Sequence, residues 1–297
     1  MTTMTIAEAL RQAIREEMRR DERVFCIGED IGVEGGFGGA FTVTLGLSQE
    51  FGHERVIDTP ISEAAIAGMA IGAAVAGMRP IADVQYGDFL FNMMDQLANQ
   101  AAKLRYMSAG TLSVPMVMRA PVGATGRGSQ HAQSLESFFT HVPGLKVVCP
   151  ATAYDAKGLL KSAVRDDNPV LVFEHKLLYG SKGARSEKGS ISAVTDVPDE
   201  EYLVPIGKGI VRRAGNDVTI VANLLMLYRA LASAEILASQ GIQAEVIDPR
   251  SLAPLSTARA SGSLGFVLLA LWEINRRRSA EGPRWASGRP LRRPSGR

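Results

Sequence analysis

Short apolar runs alternate with helical segments from residue 5 to about residue 178, and this alternation constrains the fold more than any other feature. The runs carry little polar alternation: VFCIGED (24–30), RPIADVQY (79–86), VPMVMRAP (114–121), LKVVCPA (145–151) and NPVLVFEHKLLY (168–179). Continuous apolar strands are typical of a parallel sheet that helices cover on both faces. The sequence therefore predicts an α/β fold with a parallel sheet flanked by helices.

Helical segments separate these runs. In segment 5–20 the apolar residues Ile6, Leu10, Ile14 and Met18 recur at helical spacing, which places them on one face. Further helices are predicted over 62–78, 91–107 and 152–166.

Composition shifts divide the chain into four regions. Residues 1–180 form the α/β domain, and the polar, turn-rich segment 181–200 is a linker. Residues 201–256 contain a strand, a helix that Gly241 stops and a further strand, which indicates a partial second α/β domain. Residues 257–297 are rich in Arg, Gly, Pro and Ser and form an atypical tail, non-native or disordered.

Charge and cysteine content narrow the class of protein. The chain has 33 basic and 31 acidic residues, a net charge of +2, which predicts attraction neither to nucleic acid nor to a membrane surface. Cys26 and Cys149 lie in apolar runs and are expected to be core thiols in a reducing compartment, the cytoplasm, with the mitochondrial matrix as the alternative. The uncharged stretch Ala64–Met78 is shorter than the roughly 20 residues that span a bilayer, and the charged N-terminal segment does not resemble a secretory signal.

Two common motif classes are absent from the sequence. The glycine-rich GVEGGFGGAF (32–41) matches neither dinucleotide nor P-loop spacing and is expected to be a mobile surface loop. The four histidines and two cysteines show no zinc-type spacing.

Glu63 and His131 remain as candidate functional residues. Glu63 opens an apolar helix in which Gly68 and Gly72, four residues apart, leave one face without side chains, so that another helix can approach. An acid held at such an interface loses hydration, which favours its protonated form. The alternatives are an ordinary acid in the first turn of a helix for Glu63 and a surface histidine for His131.

Three long stretches, VIDTPISEAAIAGMAIGAAVAGMRPIADVQYGDF, APVGATGRGSQHAQS and AEVIDPRSLAPL, resemble the beta subunit of the decarboxylating first component of 2-oxo-acid dehydrogenase complexes. The resemblance covers about residues 4–256 and implies a transketolase-like domain that binds the pyrimidine of thiamine diphosphate. It implies that Glu63 hydrogen-bonds N1′ of the aminopyrimidine and that Gln85 and Phe89 line its pocket. His131 would then assist the reaction of the 2-oxo acid or the dihydrolipoyl group.

The resemblance also implies a metal ion and partner proteins. Ala163, Val164, Asp166 and Asn168 match ligands of a structural potassium ion. Because the chain lacks the G-D-G motif, an alpha subunit would hold Mg²⁺ and the diphosphate in an α2β2 heterotetramer. The GMAIG helix would pack against a second copy of the chain, and a lipoyl acyltransferase would accept the acyl group.

Several functions stay open at this point. Pyruvate is the leading substrate, acetoin and branched-chain 2-oxo acids are alternatives within the family, and a non-catalytic or defective scaffold subunit is the alternative outside it. The match breaks near Ser256, so we expect residues 257–297 not to be native family sequence. The segment TIVANLLMLY (219–228) also lacks the glycine-containing turn that related chains carry after this strand.

Overall fold

The computed structural model describes residues 1–125, 128–180 and 191–255, together with the backbone of 267–269. The strands are β1 (Thr2–Met4), β2 (Val24–Glu29), β3 (Val56–Thr59), β4 (Arg79–Asp83), β5 (Val117–Val122), β6 (Lys146–Val148), β7 (Val170–His175), β8 (Thr195–Val197), β9 (Ile210–Arg213), β10 (Val218–Val221), β11 (Ala244–Asp248), β12 (Ser251–Ala253) and β13 (Val267–Leu269). The α-helices are α1 (Ile6–Arg20), α2 (Leu47–Phe51), α3 (Glu63–Val75), α4 (Ala102–Met107), α5 (Glu136–Thr140), α6 (Ala153–Val164) and α7 (Leu224–Ser239).

The main sheet confirms the predicted architecture. Its seven strands lie in the order β12-β6-β7-β5-β4-β2-β3. The six from β6 to β3 are parallel, and β12 joins the edge antiparallel to β6. Helices α1 and α6 cover one face of this sheet, while α3 and a π-helical segment (Asp95–Ala101) cover the other.

Helix α1 follows the predicted amphipathic pattern. Ile6, Leu10, Ile14 and Met18 are all buried, because residues at this spacing lie on one face of a helix. Thr5 caps the helix and forms a reciprocal capping box with the backbone and side chain of Glu8, which satisfies amide groups left free by the first turn.

Helices α1 and α6 are joined by buried ion pairs. Lys157 and Lys161, both fully buried, contact Glu16 at 2.8 and 2.7 Å. Arg165 donates to buried Glu17 through Nε at 3.0 Å. Buried charges of this kind are tolerated only when paired, so the two helices specify each other.

The predicted helix 91–107 is helical but not one regular α-helix. A 3₁₀ segment (Gly87–Met93), the π segment and α4 follow one another. Met93, Leu97 and Ala101 are buried at four-residue intervals, a spacing that suits the wider turns as well as the α-helix. Apolar spacing therefore identified the helical region but not the helix type.

The segment predicted as a linker contains a strand. β8 pairs antiparallel with β1 at the N-terminus, with Thr3 opposite Asp196, and residues 181–190 of the same segment lie outside the described residues. Similarly, β12 belongs to the main sheet although it was expected in the second domain. The chain thus returns from the second sheet to the main sheet at β12, before β13 joins the second sheet again.

The second sheet has the order β13-β10-β11-β9, with α7 between the parallel pair β10 and β11 as predicted. Leu224, the first residue of α7, has a φ of +50°, a conformation that favours glycine, at the point where related chains were expected to carry a glycine turn. The expected tail 257–297 lies outside the described residues except for the backbone of β13.

Charged side chains also link the two units. Asp155 of α6 contacts Arg250 at 2.7 Å and also pairs with Arg212, whose guanidinium contacts Asp248 at 2.8 Å. Burial raises the pKa of Asp248, and the charge of Arg212 opposes the shift. Among the described helices, no segment is long and apolar enough to cross a membrane.

Candidate active site

The crevice between the carboxyl ends of β2 and β4 is the topological switch point of the main sheet. The connection that leaves β2 runs to β3 on one side, and the connection that leaves the neighbouring β4 runs to β5 on the other side, so the two diverge at the carboxyl ends of these strands. Ligands of open α/β sheets bind at such a crevice. Gly28 lies at its base, where an added Cβ would come within 2.7 Å of the Asp83 carbonyl oxygen. Only glycine permits this close approach of β2 and β4.

Gln85 links the two sides of the crevice through its amide. The amide nitrogen donates to the Glu29 carbonyl oxygen, and the amide oxygen accepts a hydrogen bond from Ala40 N at 2.8 Å. Ala40 belongs to the glycine-rich segment that was expected to be mobile on the surface. The segment does lie largely at the surface, with Phe37 76% exposed, and the buried Gln85 side chain fixes its end at Ala40; its mobility stays a prediction.

Glu63 lies at the mouth of the crevice as the first residue of α3. Its carboxylate is half-buried, and its contact with Asn92 Nδ2 is long, at 3.5 Å. Burial raises the pKa of nearby Glu29, and the negative charges of Asp30, Glu63 and Asp58 add to the shift. This rim of acids favours a ligand that carries positive charge or hydrogen-bond donors.

The outer face of α3 is open, as the glycine spacing predicted. A Cβ added at Gly68 or Gly72 would meet no described atom within 4 Å, and Met69 on the same face is 53% exposed. Nothing in the described chain therefore covers this apolar face. The loss of hydration expected for Glu63 requires a second chain.

His131 lies in an aromatic cluster with Phe89 and Tyr86. The imidazole ring meets Tyr86 at 4.7 Å and Phe89 at 5.4 Å between ring centroids, both nearly perpendicular. Phe41 contacts Tyr86 and stacks on Tyr179 at 4.7 Å. The structure thus brings two of the predicted site residues, Phe89 and His131, into direct contact.

A buried charge network beneath the crevice was missed in the sequence. Arg119, only 1% exposed, donates to both carboxylate oxygens of Glu174 at 2.9 and 2.6 Å and pairs with Asp83. Tyr179 donates to Glu174 at 2.5 Å. Burial raises the pKa of Asp83 to about 6; Arg119 opposes the shift and Glu174 adds to it. Charged residues within otherwise apolar strands were the signal that could have revealed this network.

Comparison with known proteins decides the family. The model of the transketolase pyrimidine binding domain matches residues 2–182, and that of the transketolase C-terminal domain matches residues 207–265. A 2-oxoisovalerate dehydrogenase subunit beta of Bacillus subtilis is 47% identical over 91% of this chain and 79% of its own length. The chain belongs to the family of 2-oxo-acid dehydrogenase beta subunits.

Other family members are similar to nearly the same degree. An acetoin:2,6-dichlorophenolindophenol oxidoreductase subunit beta of Cupriavidus necator is 47% identical over 85% of this chain and 73% of its own length. A mitochondrial pyruvate dehydrogenase E1 component subunit beta-2 of Oryza sativa is 46% identical over 88% of this chain and 67% of its own length. The identity values do not separate these three types.

A solved structure supports the fold alone. A split-gene transketolase, described as an inactive beta4 tetramer, superposes with a TM-score of 0.65 at 24% identity, over 86% of this chain and 74% of its own. This agrees with the transketolase-like α/β fold of the beta-subunit family.

The residues at the crevice fit the thiamine cofactor of the family. The long contact to Asn92 leaves the Glu63 carboxylate able to accept a stronger hydrogen bond. The buried Thr59 hydroxyl, on the strand that leads to Glu63, has no hydrogen-bond partner among the described residues. Phe89 adds a half-buried aromatic ring. An aminopyrimidine, flat and rich in donors and acceptors, suits such a set.

The predicted potassium ligands lie away from the crevice, near the amino end of β7. The Val164 carbonyl oxygen accepts from Arg79 at 2.9 Å, Asp166 pairs with Lys146, and Asn168 Oδ1 accepts from Arg105 at 3.2 Å. Ala163 O accepts from Asp166 N at 3.2 Å. Protein cations and backbone already engage these oxygens, and the potassium site stays a prediction.

A cavity of about 660 Å³ also lies at this end of the sheet, lined in part by Arg105, Tyr106 and Asn168. The cavity is far from Glu63 and His131, because it lies at the amino ends of the parallel strands and these two residues lie at the carboxyl ends. The candidate residues Glu63, Phe89 and His131 lie instead at the carboxyl-end crevice.

Proposed function

We propose that this chain is the beta subunit of a pyruvate dehydrogenase type component, which oxidatively decarboxylates pyruvate and transfers the acyl group to a lipoyl carrier protein. The observation that carries the proposal is the placement of Glu63 at the switch-point crevice beside the cluster that holds Phe89 and His131. This arrangement combines an acid, an aromatic ring and an imidazole at one edge of the sheet.

Each residue has a separate role in the proposal. When bound, thiamine diphosphate supplies the electron sink that decarboxylation requires. Glu63 holds a proton at the pyrimidine N1′ position, and Phe89 packs against the ring. Gln85, whose amide is engaged within the chain, shapes the pocket by holding the segment around Ala40.

His131 acts on the substrate side. Its ring is held edge-on by Tyr86 and Phe89, which restricts its orientation. Histidine exchanges a proton near neutral pH, so it can donate to or accept from the 2-oxo acid or the dihydrolipoyl group.

The proposed partners follow from what the chain lacks. With no G-D-G motif in the sequence, an alpha subunit supplies the Mg²⁺ and diphosphate site. The open face of α3, including Gly68 and Gly72, docks against a second copy in an α2β2 heterotetramer. A lipoyl acyltransferase receives the acyl group. The proposed compartment is the bacterial cytoplasm, where free buried cysteines such as Cys26 and Cys149 stay reduced. A structural potassium ion completes the proposal at Ala163, Val164, Asp166 and Asn168.

Acetoin or a branched-chain 2-oxo acid is the second candidate substrate. It is favoured by the acetoin and 2-oxoisovalerate relatives, which are as similar as the pyruvate relative. Outside the family chemistry, a non-catalytic or defective scaffold subunit would need neither Glu63 nor His131.

The test is co-expression with an alpha subunit encoded in the same genome. Reduction of an artificial electron acceptor is followed with pyruvate, acetoin and 3-methyl-2-oxobutanoate, with and without thiamine diphosphate and Mg²⁺. Turnover that depends on both additions and is fastest with pyruvate supports the proposal. If acetoin or 3-methyl-2-oxobutanoate gives a faster rate, that compound is the substrate instead of pyruvate. An assembled complex that turns over none of the three favours the non-catalytic scaffold subunit.

A further inference from the structure

We propose that Lys176 is a positioning residue that holds His131 in its reactive placement. Lys176 directly follows β7 and is not among the residues that the sequence singled out. The inference rests on the proposed function, because it assigns Lys176 a role only through His131.

Lys176 holds the backbone of His131. Its ammonium group donates to the His131 carbonyl oxygen at 2.8 Å, and the residue is only 4% exposed. A hydrogen bond from a charged donor is shorter and stronger than a neutral one, particularly where water is excluded. The carbonyl at the end of this turn is thus fixed by a buried cation.

The same lysine and the imidazole share one aromatic ring. The Lys176 ammonium lies 5.2 Å from the centroid of Tyr86, and the imidazole of His131 meets that ring at 4.7 Å. A cation over an aromatic face is attracted by the ring electrons. Lys176 therefore fixes both the backbone of His131 and the ring against which its imidazole rests.

The turn that carries His131 is short and lies at the surface. It is a single 3₁₀ turn, Ser129–His131, with no buried residue. Such a short helix is weakly stable by itself and depends on contacts from outside. The contact from Lys176 supplies one directly at the functional residue.

His175, the residue before Lys176, contacts Gly123, which lies at the other end of the chain segment that carries His131. At Gly123, an added Cβ would lie 2.1 Å from His175 Nε2, so the backbone packs directly on the imidazole of His175. Gly123 N donates to Gln133 O at 2.9 Å, which brings the two ends of the segment together. Two consecutive residues at the end of β7 thus contact both ends of the segment that carries His131.

A purely structural lysine would give a different result from a positioning one, and a double-mutant cycle separates them. Four variants are made in the assembled component with its alpha subunit: Lys176→Met, Lys176→Arg, His131→Gln, and Lys176→Met combined with His131→Gln. Lys103→Met is the matched control, because Lys103 also donates to a backbone carbonyl, that of Pro143 at 3.1 Å, away from the crevice.

We expect Lys176→Met to lower kcat by about 10- to 100-fold, the range that a misplacement of about 1 Å can cost. The affinity for thiamine diphosphate should be unchanged, and Lys176→Arg should recover most of the rate because it keeps a buried charged donor. In the His131→Gln background, Lys176→Met should lower kcat by no more than about 2-fold, since coupled residues are not additive. Lys103→Met should behave like the parent.

The inference is overturned if Lys176→Met turns over like the parent, or loses the same factor with and without His131. If Lys176→Met does not assemble, Lys176→Gln, which keeps a neutral donor, replaces it in the same cycle with the same criteria. A parent component without thiamine-dependent turnover would instead contradict the proposed function, which keeps the two failures distinct.

Discussion

Helices α3 and α6 cover opposite faces of the same sheet, and their glycines meet different surroundings. An added Cβ at Gly158 of α6 would lie 2.5 Å from a methyl group of Val204 and 3.0 Å from its backbone nitrogen. At Gly72 of α3 it would meet nothing within 4 Å. One glycine admits a segment of this chain, and the other leaves room for a different chain.

The charges of the two helices differ in the same way. α6 carries Lys157 and Lys161, which pair with Glu16 of α1, whereas α3 has no charged residue after Glu63. On the α6 side, described residues of the same chain cover the helix. The α3 side presents an apolar face that no described residue covers, and Glu63, the proposed functional acid, is its first residue.

The largest expected effect is at Glu63. Glu63→Gln keeps the size of the side chain but removes the ability to hold and release a proton, so we expect turnover to fall by about 1,000-fold while the fold is retained. The measurement is kcat of the assembled component beside a thermal melt. Glu50→Gln, an acid on the α1 side, is the control and should retain the parent rate. A Glu63→Gln variant with parental kcat would remove Glu63 from the mechanism.

Next in size is the loss of a buried ion on the α6 side. Glu17→Gln removes the buried carboxylate that pairs with Arg20 and Arg165, of which only Arg165 keeps another carboxylate among the described residues, that of Glu201, and breaking a buried pair costs about 3 kcal/mol. We expect this loss in urea unfolding of the chain, with assembly unchanged at low temperature. Equal stability of variant and parent would show that this side is not specified by its charges.

A smaller effect is expected at Gly158. The new methyl group of Gly158→Ala must displace Val204 or Tyr202, and overpacking of this kind costs about 1–3 kcal/mol. The urea midpoint of the chain should fall. A rise in the midpoint would mean that the 202–204 segment can move away without loss.

The smallest effect on stability, opposite in sign, is expected at Gly72. Gly72→Ala has open space and gains helix propensity, so the isolated chain should become more stable by about 1 kcal/mol. Co-purification with the alpha subunit, and the mass of the assembly, should both decrease. Full assembly of Gly72→Ala, or of the larger Gly72→Leu, would contradict an interface on this face.

The sequence predicted those parts of the fold that depend on local pattern. The buried residues of α1, the parallel strands and the stop of α7 before Gly241 follow from apolar spacing and from backbone conformations that neighbouring residues impose. The π segment was not predicted, because its buried residues have a spacing that an α-helix also allows. β8 was assigned to a linker and β12 to the second domain, because a strand of three residues has too little local pattern and is defined by the strand with which it pairs.

In the candidate site, too, some features were predicted from the sequence and others appear only in the structure. Glu63, Phe89 and His131 were named from motifs, and the contact between Phe89 and His131 appears only in the folded chain. Lys176 and Arg119 were missed, since their partners are 45 and 55 residues away in sequence. The predicted role of Gln85 stays a prediction, with its amide engaged by Ala40 and Glu29.

The sequence by itself determined the α/β class, the two units and the residue types available for chemistry, because periodicity and composition act over a few neighbouring residues. Only the tertiary structure decided which side chains meet: strand order places Glu29 beside Gln85, and β7 brings Lys176 to His131. Strand pairing joins residues that are far apart in the chain, and no local pattern encodes that choice.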